Sequence, residues 1–219
     1  MKKQLTFKFP FKTSYEESDF YVSSNNFEAY KLIESWPKWP EKRINIFGPS
    51  GCGKTHLINI LSKKLKLLSV NANKFDEKIN NLVENFDCIV IENYHENIEE
   101  KLLYSFINQV SQLNKILIIN SLKNIKNFKI NLVDLKSRLN SFMEIEIGLP
   151  TDDLIRVIIL KTFSDKQIDL NNKNLEFIIK KIERSYEKIF KFTKDVDNIS
   201  LSTGKSININ LIKKVLKNE

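Results

Sequence analysis

The sequence predicts an α/β fold: a parallel sheet clad in helices, followed by a small all-helical unit. Three observations predict it. Short apolar runs bounded by turn residues alternate with helical segments as far as residue 147, the pattern of successive βα units. A glycine-rich stretch, "FGPSGCGKTHL" (47–57), joins one apolar run directly to a helical segment. Beyond "IGLP" (147–150) the apolar runs stop and only helical periodicity remains.

Residues 1–19 are expected to be an extended arm, because they carry little helical periodicity. "NNFEAYKLIESW" (25–36) is a first helix, closed by Pro37 and Pro40. "RINIF" (43–47) is a strand feeding the glycine loop, and "KTHLINILSKKL" (54–65) continues as a helix. "LLSV" (67–70), "DCIVI" (87–91), "KILIIN" (115–120) and "FMEIEI" (142–147) complete a five-stranded parallel sheet. Helices are expected near 74–85, 97–113 and 132–140. Gly148 and Pro150 then mark a boundary, followed by helices at 151–164, 172–184, 186–200 and 209–217. The expected division is an arm (1–19), an α/β domain (20–149) and a helical domain (150–219).

At 219 residues the chain is long enough to bury a substantial core. No apolar run approaches the roughly 18 residues of a membrane span. The start, "MKKQLTFKFPFK", alternates apolar and polar residues and so lacks the apolar centre of a signal peptide. A cytoplasmic protein without membrane contact is therefore expected. Cys52 and Cys88 fit a reducing compartment. Neither has a C-x-x-C partner, and with His56 and His95 they form no expected ligand set.

The net charge of +8 raises the question of nucleic acid. Much of it is Lys scattered among Glu and Asp in an Asn- and Ile-rich chain, a bias that A/T-rich codons also produce. The one concentrated stretch is "LKNIKNFKINLVDLKSR", where Lys123, Lys126, Lys129, Lys136 and Arg138 face only Asp134. A solvated face and a contact surface fit it equally.

The glycine loop matches G-x-x-x-x-G-K-[ST] from Gly48 to Thr55, and three of the chain's five glycines lie in it. In this motif the loop residues Pro49, Ser50, Gly51, Cys52, Gly53 and their neighbours up to His56 surround a phosphate at a helix N-terminus, all but the proline with a backbone N–H to donate. Lys54 neutralises phosphate charge, and the Thr55 hydroxyl helps coordinate Mg²⁺. The expected cofactor is ADP or ATP with Mg²⁺. The metal also needs a strand-end carboxylate, and "DCIVIEN" offers Glu92; an acid marking the strand's exit to solvent is the plain alternative. Related sites often carry a second acid next, to activate water. Here that residue is Asn93, whose amide binds water but cannot take its proton, so intrinsic hydrolysis is expected to be weak or nil. Asn120 ends "KILIIN", either in reach of a γ-phosphate or as an ordinary turn residue.

Loop, strand-end acid, strand-end polar residue and helical C-terminal part together resemble an AAA+ ATPase, and within that class the DnaA family of bacterial replication initiators. "FYVSSNNFEAY" (20–30) is similar to the family's segment beside the adenine, with Val22 and Asn26 matching. "DLKSRLNSFMEIEIGLPTDDLIRVIIL" (134–160) resembles the segment bearing its arginine finger, and "TGKSININLIKKVLKN" (203–218) the close of its lid domain. The resemblance implies that Arg138 is an arginine finger acting in trans and Asn120 the first sensor. It puts the second sensor's arginine position on Lys188, within "ERSYEKIFKF". Lysine keeps the charge but loses the bidentate fork.

Two of the family's features are not expected here. Nothing after the lid segment matches its helix-turn-helix DNA reader, and residues 71–86 leave room for one helix where initiators grip single-stranded DNA. Direct DNA contact is therefore expected to be weak or indirect. The resemblance is strongest to the Hda group of initiator regulators, and "QLTFKF" (4–9) is similar to peptides that dock on the DNA polymerase sliding clamp. In that reading Leu5, Phe7 and Phe9 are apolar anchors and Gln4 supplies donor and acceptor; an edge strand of period two produces the same letters. The implied partners are the clamp and the initiator DnaA, with self-association left open. Rival readings are an autonomous AAA+ ATPase of the clamp-loader kind, a DNA-binding factor using residues 123–138, and a degenerate adaptor.

Overall fold

The five apolar runs become five strands: β1 (Arg43–Phe47), β2 (Leu67–Asn71), β3 (Cys88–Tyr94), β4 (Ile116–Ser121) and β5 (Met143–Glu146). In this computed structural model, residues 19–166, 168, 170–203 and 207–217 are described. All neighbouring strands pair in parallel, in the order β2-β3-β4-β1-β5. The central strands explain that order. Ile89, Val90 and Ile91 of β3 and Leu117, Ile118 and Ile119 of β4 are all fully buried, as a parallel strand covered on both faces requires. β2 and β5 are the edges; β2 is mostly half-buried and β5 alternates half-buried with exposed residues.

Helices α1 (Phe27–Glu34), α2 (Lys54–Ser62), α3 (Glu100–Gln112) and α4 (Val133–Asn140) complete this unit. α3 shows why an amphipathic segment settles here. Leu103, Phe106, Ile107 and Val110, at helical spacing, are buried with Ile89, Ile91, Leu117 and Ile119 in one core cluster. Each such side chain contributes about 1.5–3 kcal/mol by leaving water.

The helix expected near 74–85 is corrected. The segment forms two runs of 3-10 turns, Ala72–Lys74 and Glu77–Asn85. Asp76 caps the second run by accepting from the Lys78 N–H (3.0 Å), and Gln109 Nε2 donates to the Asn80 carbonyl (3.0 Å). A carbonyl so engaged from α3, in an Asn-Asn pair of poor helix propensity, favours the tighter i to i+3 pattern. Ile79 and Val83 still anchor the run in the core.

From Leu149 onward the chain forms a second compact unit, whose regular elements among the described residues are all helices. These are α5 (Asp152–Ser164), α6 (Asn172–Lys181), α7 (Tyr186–Thr203) and α8 (Ile209–Lys217). Thr151 Oγ1 caps α5 through the Leu154 N–H (3.3 Å), with Asp152 and Asp153 in the first turn suiting the helix dipole. Asn171 Oδ1 caps α6 through the Asn174 N–H (2.8 Å). Phe163 and Phe192 centre the core of this unit, with Ile155, Ile178 and Ile212 around them.

Candidate functional site

The site is built at the carboxyl ends of β1, β4 and β3. β1 runs into the glycine loop, and α2 starts at Lys54 after Gly53, whose φ of 102° only glycine holds without strain. Gly48 is required for a different reason. A Cβ there would lie 2.3 Å from the backbone oxygen of Ile147, at the end of β5, and 3.1 Å from Cys52 Sγ. Gly48→Ala is therefore expected to destabilise the α/β unit by about 3 kcal/mol, typical of overpacking against backbone, which thermal unfolding would read as a fall of about 6–12 °C. An unchanged Tm would show that the two strand ends yield freely.

Lys54 is buried, and its Nζ donates to the carbonyls of Gly48 (2.7 Å) and Pro49 (3.0 Å). The Cys52 Sγ lies 3.6 Å from the same ammonium. Burial pushes the Cys52 thiol above its ordinary value, with Lys54 partly opposing. The loop thus keeps a charged donor folded over its own carbonyls, ready to transfer to an anion at the start of α2.

Glu92 is the hub of the far side. Its Oε2 accepts from Asn120 Nδ2 (3.0 Å) and from Thr55 Oγ1 (3.3 Å), joining the three residues that the sequence singled out on separate elements. Glu92 and Asn120 are buried, yet Glu92 Oε1 and Asn120 Oδ1 have no hydrogen-bond partner. Orphaned buried oxygens are uncommon in folded proteins and point to an outside group. Among the described residues no group of three or more His, Cys, Asp or Glu could hold a metal. A hard oxygen-seeking cation such as Mg²⁺ suits what is present: a carboxylate and a hydroxyl, the rest of its shell coming from phosphate and water. Glu92 and Thr55 would hold it, and it would supply neutralisation of phosphate charge.

Just past Glu92 the ladder between β3 and β4 breaks register. Ile91 faces Ile119 but Tyr94 faces Ser121, so three steps on β3 match two on β4. Asn93 is the extra residue, exposed, with φ at 56°. Asparagine is among the few non-glycine residues that take this left-handed conformation readily. Tyr94 beyond it is buried, and burial, followed by the charges of Glu100 and Glu96, pushes its phenol up to about 12. It stays protonated.

Four residues that sequence reasoning passed over shape the site. Asn45 in β1 is fully buried; its Nδ2 donates to Ile119 O (2.8 Å) and Ser121 Oγ (2.9 Å), and its Oδ1 accepts from the Ile125 N–H (3.0 Å). It fixes the end of β4, where Asn120 stands. Phe20 stacks on Tyr30 (5.7 Å), meets His56 edge-on (5.3 Å) and crowds Gly53, whose absent Cβ would lie 3.0 Å from its ring. Asn25 Nδ2 donates to Gly148 O (3.2 Å). Glu100 accepts from the N–H groups of Asn131 (2.9 Å) and Leu132 (2.6 Å) and so holds the start of α4, which has no side-chain cap of its own.

The other sequence-derived residues divide clearly. Asn26 is buried, its side chain bonded to the Ser23 N–H (2.8 Å) and to Tyr21 O (3.0 Å), so it shapes its own turn; Val22 in that turn is half-buried. Arg138 is exposed on α4, and among the described residues it pairs neither with Asp134 nor with any other acid. In the same basic stretch Lys126 pairs with Glu144, lowering that carboxyl's pKa, and Lys123 lies over the Phe128 ring (4.4 Å). Lys188, in the helical unit, lies 3.9 Å from Glu183. Gln4, Leu5, Phe7 and Phe9 fall outside the described residues.

No protein-family model and no curated protein matches the chain. Solved structures match its fold. Domain III of the replication initiation protein DnaA from Thermotoga maritima aligns with a TM-score of 0.76 and 17% identity, over 96% of this chain and 98% of that one. DnaA from Aquifex aeolicus, bound to AMPPCP, aligns at 0.68 with 16% identity over 84% of this chain. This chain spans 65% of that protein, less than two-thirds of its length. The Holliday junction branch migration motor RuvB of Thermotoga maritima aligns at 0.61 with 18% identity, over 81% of this chain and 61% of that one. The chain thus has the α/β AAA+-type fold seen in DnaA domain III and RuvB. Among the described residues no helix is long and apolar enough to cross a membrane.

Proposed function

We propose that this protein is an Hda-like regulator of DNA replication initiation, a nucleotide-binding switch and not a motor. ADP, with Mg²⁺ at Thr55 and Glu92, occupies the loop from Gly48 to His56, with Val22 and Asn26 on the side of the base. The peptide at residues 4–9 docks on the DNA polymerase sliding clamp. Arg138 is then offered to the ATP site of the initiator DnaA, where an arginine supplied in trans stabilises charge on the phosphoryl group in flight.

The observation that carries this reading is Asn93. Lys54, Thr55, Glu92 and Asn120 supply what is needed to grip phosphate and metal, and three of them meet at one carboxylate oxygen. The residue after Glu92 has no proton-accepting group and stands on a bulge that moves it out of register with the strand beside it. The likeness to DnaA domain III along almost the whole chain supports the initiator as the site's partner, and exposed Arg138, in the last turn of a helix whose start Glu100 holds, supports a finger that reaches outward.

The test is capture on immobilised sliding clamp. Intact protein is expected to be retained, and protein truncated before Thr6 to be lost at least tenfold, the anchors Leu5 and Gln4 being gone while the described fold is untouched. Equal retention of the two would remove the clamp from this account. Brisk ATP turnover by the isolated chain, lost in Lys54→Ala, would instead favour an autonomous ATPase.

A further inference from the structure

We propose that Lys74 is a second cation of the nucleotide site, one that meets the third phosphate of a nucleoside triphosphate and leaves a diphosphate untouched. This rests on reading the glycine loop as a nucleotide site and adds to it a residue that sets which nucleotide is preferred.

A cleft of about 470 Å³ opens at the carboxyl ends of β2 and β3. Thr55, Glu92, Asn71 and Asn93 line it, and Lys74 joins them from the turn that follows β2. The cleft therefore begins where the metal-binding pair stands and runs away from Lys54, towards the edge of the sheet. A phosphate chain anchored at the start of α2 places its first two members on the loop amides and Lys54. A diphosphate with its cation at Thr55 and Glu92 borders this cleft, and a third phosphate extends into it towards Lys74.

The charges in the cleft suit that third member. Glu92 is the only acid among the lining residues and Lys74 the only base. Glu92 is buried and keeps one carboxylate oxygen without a partner, which is what a phosphate-bound cation would use. A terminal phosphate brings further negative charge, and Lys74 has, among the described residues, no ion pair of its own to give up.

Lys74 is also held in place from below. The turn Ala72–Lys74 is buried at Ala72 and closed by Asn71 Oδ1, which accepts from the Asn73 N–H (3.0 Å). His95, beyond the bulge, fastens it a second time. The Asn97 N–H donates to His95 Nδ1 (3.3 Å), which leaves Nε2 as the donor to Asn73 Oδ1 (2.7 Å). The base of the lysine is thus clipped to the loop after Glu92 and Asn93, and only its flexible stem is left to swing. With Asn93 unable to activate water, a triphosphate that engages Lys74 stays whole. The chain then distinguishes the two nucleotides without consuming either.

The experiment is titration calorimetry of the full chain with Mg²⁺ and either ADP or a non-hydrolysable triphosphate, on the native protein, Lys74→Met, Lys74→Arg and Lys54→Ala. Lys74→Met is expected to weaken the triphosphate about tenfold, or about 1.4 kcal/mol, and ADP less than about twofold. Because the ammonium is exposed and screened, the gap is expected to narrow in about 0.5 M salt. Lys74→Arg is expected to restore most of the preference. Equal losses for both nucleotides, or none for the triphosphate, overturn the proposal. If Lys74→Met melts early, His95→Ala serves in its place: loosening the clip is expected to lower triphosphate affinity by a smaller factor, and no change there counts against the proposal. Failure of the underlying reading looks different, since native protein and Lys54→Ala would then bind both nucleotides alike.

Discussion

Replacing Lys54 by Ala is expected to erase the stabilisation that ADP and Mg²⁺ confer. Nucleotide at about 100 times its Kd adds about 2.7 kcal/mol to the folded state. In a chain of this size each kcal/mol moves Tm by about 2–4 °C, so the native protein gains about 5–10 °C and the variant close to none. The reason is visible before any ligand arrives. The buried ammonium bonds to the Gly48 and Pro49 carbonyls of the loop, and those bonds are what an incoming phosphate must replace. Those bonds also steady the free loop, so Lys54→Ala should melt slightly earlier without nucleotide, by about 2 kcal/mol at most. Scanning calorimetry of both proteins with and without ADP separates the two effects. A full ligand-induced shift in Lys54→Ala would mean that nucleotide does not bind at this loop.

Replacing Arg138 by Ala is expected to lower clamp-dependent ATP hydrolysis by the initiator about 10³-fold, the lower end of what an arginine finger supplies. The chain's own melting temperature should hardly move, because Arg138 is exposed on α4 and pairs with no acid among the described residues. Arg138→Lys is expected to recover only part of the rate, since a lysine offers charge without the planar fork. The readout is phosphate release from ATP-loaded initiator with clamp on DNA. Stimulation that survives Arg138→Ala at the native rate would leave an adaptor and no finger.

Much of this arrangement could be read from the letters, for a physical reason. β3 and β4 are covered on both faces, so their apolar runs are unbroken, and the loop between β1 and α2 is contiguous in sequence. Glu92 and Asn120 could be picked out because each follows such a run directly. What escaped depends on partners far away along the chain. Asn45 looks like a blemish in an apolar strand until its bonds to Ile119, Ser121 and Ile125 are seen. Glu100 looks like any acid at a helix start, and nothing in its neighbourhood announces the amides of Asn131 and Leu132. The segment near 74–85 reads as a helix because Ile79 and Val83 stand four residues apart, while the engagement of the Asn80 carbonyl comes from Gln109 on another element. The bulge at Asn93 is a mismatch between two strands and so belongs to neither sequence alone.

Phe20 has a consequence for how the first helix and the phosphate loop affect one another. Its ring is wedged between Tyr30 and His56 and rests on Gly53, the hinge of the phosphate loop. A loop stiffened by an anion would press on this aromatic chock and, through Tyr30, on α1. First helix and phosphate loop thus share one mechanical part.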